Sequence, residues 1–288
     1  MMKRILKWLG VVALLLACIA GAGWFYAFGS NSPIVDGEVA PGVRAIKDGF
    51  VSAFTIDVGA GKIALIDAGH DDSGKALLAA LAQRGLSPDA VIAIFLTHGH
   101  PDHTAGCKLF PGAQVYALTE DVALVGAAAK INHPLHDGET TQVGAVRVET
   151  FAVPGHTPGS AVYLADGVLF FGDSAGASKD GKVMKAVGLF SKSSSQNVAS
   201  LKALAARLQP RSAEIQALAF AHTGPLAGFA PLATFAAEQP TETSPRADPA
   251  ACVKAGDRCE FAPGKIGLCT AKPDGCSEGL CLSCVSLH

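Results

Sequence analysis

The sequence predicts a layered α/β fold, with sheets covered by helices, in one domain of roughly 210 residues. Three observations carry that expectation. Apolar runs rich in β-branched residues, such as "KIALIDAG", "AVIAIFLT" and "VLFFG", are bounded by turn residues and read as buried strands. The first runs follow one another as a meander, and the later ones alternate with amphipathic stretches such as "SGKALLAALAQR". The 288-residue chain carries 32 glycines, many in short loops or beside proline, which suits a fold of many tight turns better than a helix bundle.

The elements follow in order. "VRAI", "FVSAFTIDVG" and "KIALIDAG" read as turn-punctuated strands. Ser73 to Arg84 reads as an amphipathic helix, capped by Asp72 or Ser73 and stopped by Gly85, because short polar side chains satisfy the first free N–H groups and glycine ends a helix cheaply. "AVIAIFLT" is a buried strand and "AQVYAL" another. "TEDVALVGAAAK" reads as a helix capped at Thr119 with acids in its first turn, where they complement the dipole. "TQVGAVRVETFAVPGHTPGS" holds two strands, and "AVYLADGVLFFGDS" a hairpin turning at Asp166-Gly167. "NVASLKALAARLQ" is a helix stopped by Pro210, and "IQALAFAHTG" the last strand of this domain.

The two ends differ in composition. Lys3, Arg4 and Lys7 precede an uncharged, apolar run from Trp8 to Phe28, long enough for one helical crossing of a roughly 30 Å hydrocarbon layer. Aromatic residues flank it and the positive charge precedes it, so residues 1–30 are expected to be a signal-anchor or transmembrane segment, with the remainder on the extracytoplasmic side. A cleaved signal peptide at Ala20-Gly21-Ala22 and a lipoprotein box ending at Cys18 are the alternatives; all three export the rest of the chain. Residues 31–237 form the domain, and 238–250, rich in Pro and Thr, a linker. In the tail, 251–288, six of the eight cysteines fall in the spacing C-x6-C-x9-C-x6-C-x4-C-x2-C. That reads as a small disulfide-rich module in an oxidising compartment, with pairing undetermined and a zinc site using Cys281 and Cys284 as the rival. The tail is a candidate docking module for an envelope or protein partner. Cys107 is left over as a small buried apolar residue.

With Lys plus Arg at 23, Asp plus Glu at 25 and a formal net charge of -2, the chain offers no basic field for a polyphosphate backbone, and nucleic acid is not expected as a partner.

The chemistry concentrates in "THGHPDH", Thr97 to His103, which places three of the chain's nine histidines straight after an apolar strand. His156, Asp173 and His222 each also follow an apolar strand, after "FAVPG", "VLFFG" and "ALAFA". Strand ends on one edge of a sheet converge, so these sequence-distant loops can meet at one site. Imidazoles and carboxylates suit a metal of borderline softness such as Zn²⁺. His98 and His100 can share one ion, and Asp102 and His103 can reach a second. Gly99 bends freely and Pro101 fixes the chain direction.

His98, His100, Asp102 and His103 spell H-x-H-x-D-H, and the chain here resembles the metallo-β-lactamase fold superfamily. The resemblance runs from about Val43 to Pro225 with the motifs in order: Asp67 in "LIDAG", the histidine motif, His156 in "PGHTPGS", Asp173 in "LFFGDS" and His222 in "AHTG". It implies a four-layer αββα sandwich of two mixed sheets with helices outside. It implies one zinc on His98, His100 and His156, a second on Asp102, His103 and His222, and Asp173 bridging both. Asp67 would support these ligands without touching metal. It further implies a zinc-dependent hydrolase in which a metal-bound hydroxide attacks and Asp102 delivers the leaving-group proton. The expected substrate is a small ester, lactone, thioester or amide.

Two alternatives stay open: a B3-like β-lactamase, and an iron-dependent sulfur dioxygenase of the same superfamily. His70 is expected at the surface, His133 and His136 as loop histidines in water or lining a substrate groove, His288 as incidental, and "KSSS", Lys192 to Ser195, as an exposed loop or a lid over the site.

Overall fold

The computed structural model describes residues 29–239 and three further strands at 258–262, 265–271 and 282–286. The expected anchor over 8–28 and most of the linker lie outside the described residues, and no helix among the described residues is long and apolar enough to cross a membrane. The chain divides into two units, Met1–Gln239 and Pro240–His288.

The first unit holds two large sheets. One has the order β1-β2-β3-β4-β5-β6-β7: β1 is Gly37–Ala40, β2 Val43–Asp48, β3 Val51–Gly59, β4 Lys62–Ile66, β5 Val91–Phe95, β6 Gln114–Leu118 and β7 His133–Leu135. Its first four strands pair antiparallel, as a meander must, and β4 through β7 pair parallel. Helix α1, Lys75–Gln83, makes the crossover from β4 to β5. The second sheet contains β8 (Thr140–Val143), β9 (Val146–Ala152), β10 (Ala161–Ala165), β11 (Val168–Phe170), β14 (Ala217–Ala219) and β15 (Leu226–Ala227), in the order β15-β14-β11-β10-β9-β8. A small ribbon joins β12 (Ala175–Ala177) to β13 (Val183–Lys185). The expected hairpin is present: β10 and β11 pair antiparallel with Ala165 opposite Val168. Asp166 and Gly167 both have positive φ, 45° and 74°, the primed turn that matches strand twist.

Three apolar clusters define the layers. The central one fills the space between the sheets, with Phe54, Ile56, Ile66 and Phe95 from the first against Val148, Tyr163, Phe170 and Ala219 from the second. A second covers the outer face of the second sheet with α4 (Ser194–Leu208) and α5 (Ala230–Glu238), through Leu201, Leu204, Leu208, Leu232 and Phe235. A third covers the outer face of the first sheet with Leu77 and Leu81 of α1. The αββα layering therefore follows from alternation: each strand sends one set of side chains between the sheets and the other beneath helices.

Several local readings need correction. Helix α1 has Gly74 at its N-cap with no side-chain bond; the carboxylate of Asp71 instead accepts from the N–H groups of Ser73 and Lys75. The helix expected from Thr119 is a 3-10 turn plus α3, Val122–Val125, ended by Gly126 at φ 52°. Asp121 turns inward to bind other loops, and the following residues do not continue the helix. In contrast, α4 begins earlier than expected, because Ser193 caps it by accepting from Gln196 N–H, so "KSSS" is a helix start. The chain past α4 runs through Pro210 as a 3-10 turn. Cys107 is buried, and burial pushes its thiol up to about 12, as an inert core residue requires.

In the second unit, β16 (Arg258–Ala262), β17 (Lys265–Ala271) and β18 (Leu282–Ser286) form an antiparallel sheet.

Candidate metal centre

Strand direction explains the meeting of the site residues. β4 and β5 are parallel, so Asp67 and His98 leave the same edge of the first sheet. β11 and β14 are parallel, and β9 runs with them because two antiparallel pairings separate it from β11. His156, Asp173 and His222 therefore leave one edge of the second sheet. Hydrogen bonds close the two edges together: Ala161 N–H donates to Thr97 O (2.7 Å), Tyr163 O–H to Leu96 O (2.7 Å) and Ser52 N–H to Ala221 O (2.7 Å). His100, Asp102 and His103 are carried by the loop after β5 and the short helix α2, Pro101–Thr104.

All seven expected ligands gather here. His98 Nε2, His100 Nδ1 and His156 Nε2 lie 3.0, 3.2 and 3.0 Å from one another. Three converging ring nitrogens cannot satisfy each other as hydrogen-bond partners. Their spacing is close to the roughly 3.3 Å edge of a tetrahedron with metal–nitrogen bonds of about 2.05 Å. Beside them, Asp173 Oδ1 is 3.2 Å from His103 Nε2 and 3.1 Å from His222 Nε2, and its Oδ2 is 3.6 Å from His156 Nε2. Asp102 Oδ2 is 3.3 Å from His222 Nε2 and 3.6 Å from His103 Nε2. The clusters able to hold a cation are accordingly His98, His100 and His156; His98, His103 and Asp173; and Asp102, His103 and His222. His103 Nε2 and Asp173 Oδ1 are also buried without a hydrogen-bond partner. A donor set left unpaired at one point fits a cation, and Asp173 faces both groups.

The opposite nitrogen of four rings is held. His103 Nδ1 is 2.7 Å from Asp67 Oδ2, His98 Nδ1 3.1 Å from Thr97 Oγ1, His156 Nδ1 3.1 Å from Ser191 Oγ and His222 Nδ1 2.8 Å from Phe50 O. Asp67 organises two of these, since its carboxylate also accepts from Thr97 N–H and Oγ1–H. With Thr97 donating there, its oxygen accepts from His98 Nδ1–H, which leaves Nε2 of both His98 and His103 free to bind metal. Asp67 does this from φ 58°, a left-handed conformation that aspartate tolerates better than most residues. Gly172, at φ 52°, precedes Asp173, and a Cβ there would lie 2.3 Å from Thr97 Oγ1.

The two halves differ in protonation. Burial drives His98 well below its ordinary value and His156 down to about 4, so these rings are neutral and ready to bind. Burial also opposes charge on His103 and His222, but carboxylates outweigh it. Asp67 and Asp173 hold His103 well above its ordinary value, and the nearby carboxylates of Asp102 and Asp173 raise His222 to about 10. The acids are held ionised in return: burial raises Asp173 and Asp102, and the imidazoles His103 and His222 overcome it.

Asp121 is placed by the sequence among the acids of a helix's first turn. It is fully buried and accepts from Gly99 N–H (2.9 Å), Thr157 Oγ1–H (2.8 Å) and Gly159 N–H (2.7 Å), tying the His98–His100 loop to the His156 loop. No local signal marks it, since an acid after Thr119 is an ordinary helix start. His70 is half-buried, with its ring stacked on Phe50 at 4.8 Å. His133 and His136 are exposed, and His133 stacks on Tyr116 at the sheet edge. Surface cavities of about 230 Å³ (lined by Val183, Pro231 and Phe235 among others) and about 190 Å³ (by Arg44, Asp57 and Arg84 among others) lie on other residues. The centre instead opens to solvent beside Asp102 and His222, whose side chains are 24% and 32% exposed.

The gathered imidazoles and carboxylates, on the joined edges of the two sheets, form a histidine-rich site that could hold a metal ion. The Metallo-beta-lactamase superfamily model matches residues 46–222, and the chain belongs to that superfamily. Among curated relatives, hydroxyacylglutathione hydrolases of Serratia proteamaculans and Salmonella paratyphi A are 32% and 35% identical over 136 and 138 residues, 46% of this chain. The match spans about half of their length, 49%. A metallo-beta-lactamase family protein of Thermus thermophilus superposes with a TM-score of 0.54 at 25% identity, over 69% of this chain and 80% of that one. The subclass B3 metallo-beta-lactamase of Bradyrhizobium japonicum gives 0.55 at 17% identity, over 72% and 91%, a likeness of fold.

Proposed function

We propose that the chain is an exported, membrane-anchored dizinc hydrolase that cleaves a small ester, lactone, thioester or amide. The observation that carries the reading is the convergence of His98 Nε2, His100 Nδ1 and His156 Nε2 within 3.2 Å beside a second set that shares Asp173. The first set would hold one cation and Asp102, His103 and His222 the other. Zinc, when bound, lowers the pKa of water to about 7 and polarises a substrate oxygen.

The chain's own residues do the rest. Asp67, Thr97, Ser191 and Phe50 O fix the ring orientations, so little reorganisation is needed during reaction. Asp173 keeps the two sets in one geometry through its two oxygens. Asp102, the more exposed acid of the pair at 24% against 15% for Asp173, can take a proton on the carboxylate oxygen that does not face His103 and His222 and return it to the leaving group. The hydroxyacylglutathione hydrolases support a thioester as one substrate class. Export rests on residues 1–30 and on the cysteine spacing of the tail.

The test is hydrolysis by the purified full-length chain of a lactone, a glutathione thioester, a cephalosporin and a phosphodiester, with metal content measured on the same sample. Turnover of one class, lost with chelator and in Asp173→Ala, is expected with two zincs per chain. Two bound zincs without turnover of any class would overturn the proposed substrates. One iron per chain, with oxygen uptake on a persulfide, would replace the reading with sulfur dioxygenation. Localisation is read by protease accessibility in intact spheroplasts, where a protected catalytic domain would refute export.

A further inference from the structure

Among the described residues, six large hydrophobic side chains are exposed: Val35, Phe50, Leu124, Val187, Leu189 and Phe190. Five of them sit on segments that touch the metal centre. Phe50, 59% exposed, stacks on His222 at 5.9 Å and holds that ring through its carbonyl oxygen. Leu124 lies against Gly99, between His98 and His100, where a Cβ would be 2.8 Å from Leu124 Cγ. Val187, Leu189 and Phe190 belong to one turn, which Ser191 closes by donating from Oγ to Val187 O, and Ser191 Oγ also meets His156 Nδ1. Lys192 N–H to His156 O and Ser193 N–H to Gly155 O pin that turn to the His156 loop. Leu189 is 86% exposed and Gly188 to Phe190 bury nothing fully, so the turn contributes little to the core.

Exposed apolar side chains scattered singly need no explanation, but their concentration around one polar centre does. Ligand sites commonly combine apolar walls with a few placed polar groups. Here the polar groups are the carboxylates and imidazoles, and the walls stand beside three of the loops that carry them. We infer that this apolar rim receives the acyl or alkyl chain of the substrate, so that the enzyme prefers a medium-chain ester, lactone or thioester over one flanked by charge. The inference rests on the hydrolase reading for the word substrate. A charged side chain next to the rim is Lys192, which is exposed. It gives the rival outcome, a substrate such as an acylglutathione whose carboxylates meet it.

Two series separate the possibilities. The first is hydrolysis of acyl esters and the matching lactones by the full-length zinc-loaded chain, with acyl length raised from two to ten carbons. The second is binding of alkyl hydroxamates over the same lengths, measured by calorimetry and independent of turnover. A methylene leaving water is worth up to about fourfold, and a half-covered rim about twofold. Hydroxamate affinity and kcat/KM are therefore expected to rise at least about tenfold from four to eight carbons. The L189S/F190S double variant is expected to reduce that ratio to within about twofold, and its far-UV circular dichroism controls for folding. A flat wild-type series, or a ratio unchanged in the variant, would overturn the rim. Tighter binding of a short diacid or of acylglutathione than of the eight-carbon hydroxamate would transfer the role to Lys192. Chain-length-dependent binding without hydrolysis of any ester would retain the rim and reject the hydrolase.

Discussion

At the scale of single residues, the centre is asymmetric in its protons. His98 and His156 are stripped by burial, the latter to about 4, whereas His222 is raised to about 10 and His103 well above its ordinary value. A cation entering the first set at neutral pH displaces no proton from those two rings. One entering the second set below about pH 10 must expel the proton of His222, and its affinity rises with pH, about tenfold per unit for each proton expelled. Zinc titration by calorimetry between about pH 7 and 9, in buffers of different ionisation enthalpy, is expected to show a first event with little proton release and a second with release. Equal release in both would contradict the assignment. Asp121 belongs at this scale too. Asp121→Asn keeps one acceptor but turns an amide N–H₂ toward Gly99, Thr157 or Gly159, all of which donate. Zinc affinity of the His98–His100–His156 set is expected to fall about 10- to 100-fold, read by competition with a chromophoric chelator. Unchanged affinity would reduce Asp121 to a packing role.

At the scale of elements, strands, their exits and the Gly85 stop of α1 were legible, and the helix caps were not. Apolar runs with turn residues at both ends located β4, β5, β9, β10, β11 and β14, and the ligands followed because each stands a few residues past a strand. The Asp166-Gly167 hairpin was equally legible, since its turn chemistry is local. The helix expected from Thr119 failed because Asp121 is recruited by loops distant in sequence, and the cap of α4 was hidden because a serine run looks the same in a loop. Pairing in the tail belongs to the same class of tertiary information. Strand register now supplies one candidate: Cys269 stands opposite Cys284 on β17 and β18, while Cys259 stands opposite Gly267. Directly opposed residues of an antiparallel pair have Cα atoms about 4.5–5.5 Å apart, within the roughly 4.4–6.8 Å that a disulfide spans. Non-reducing peptide mapping of protein made in an oxidising compartment is expected to recover a Cys269–Cys284 link. Recovery of both residues only in other pairs would refute it.

At the scale of the whole molecule, the αββα sandwich and the centre depend on each other. The two sheets share an apolar interior, but at the site edge they meet through Ala161 to Thr97, Tyr163 to Leu96 and Ser52 to Ala221, and the proposed ligands come from both. Asp67, His98, His100, Asp102 and His103 lie on loops of the first sheet, and His156, Asp173 and His222 on loops of the second. A cation in either set therefore cross-links the sheets in the native state and finds no such site in the unfolded chain. A ligand at about a thousand times its dissociation constant adds about 4 kcal/mol to stability, and a domain of this size gains roughly 2–4 °C per kcal/mol. Scanning calorimetry is expected to place the zinc-loaded transition about 8–16 °C above that of the chelator-treated protein. In Asp173→Ala, which removes the residue facing both sets, most of that difference should vanish while the metal-free transition moves much less. A metal-independent transition in the native sequence would mean that packing and these hydrogen bonds alone join the sheets, and that the gathered imidazoles and carboxylates do not bind a cation tightly.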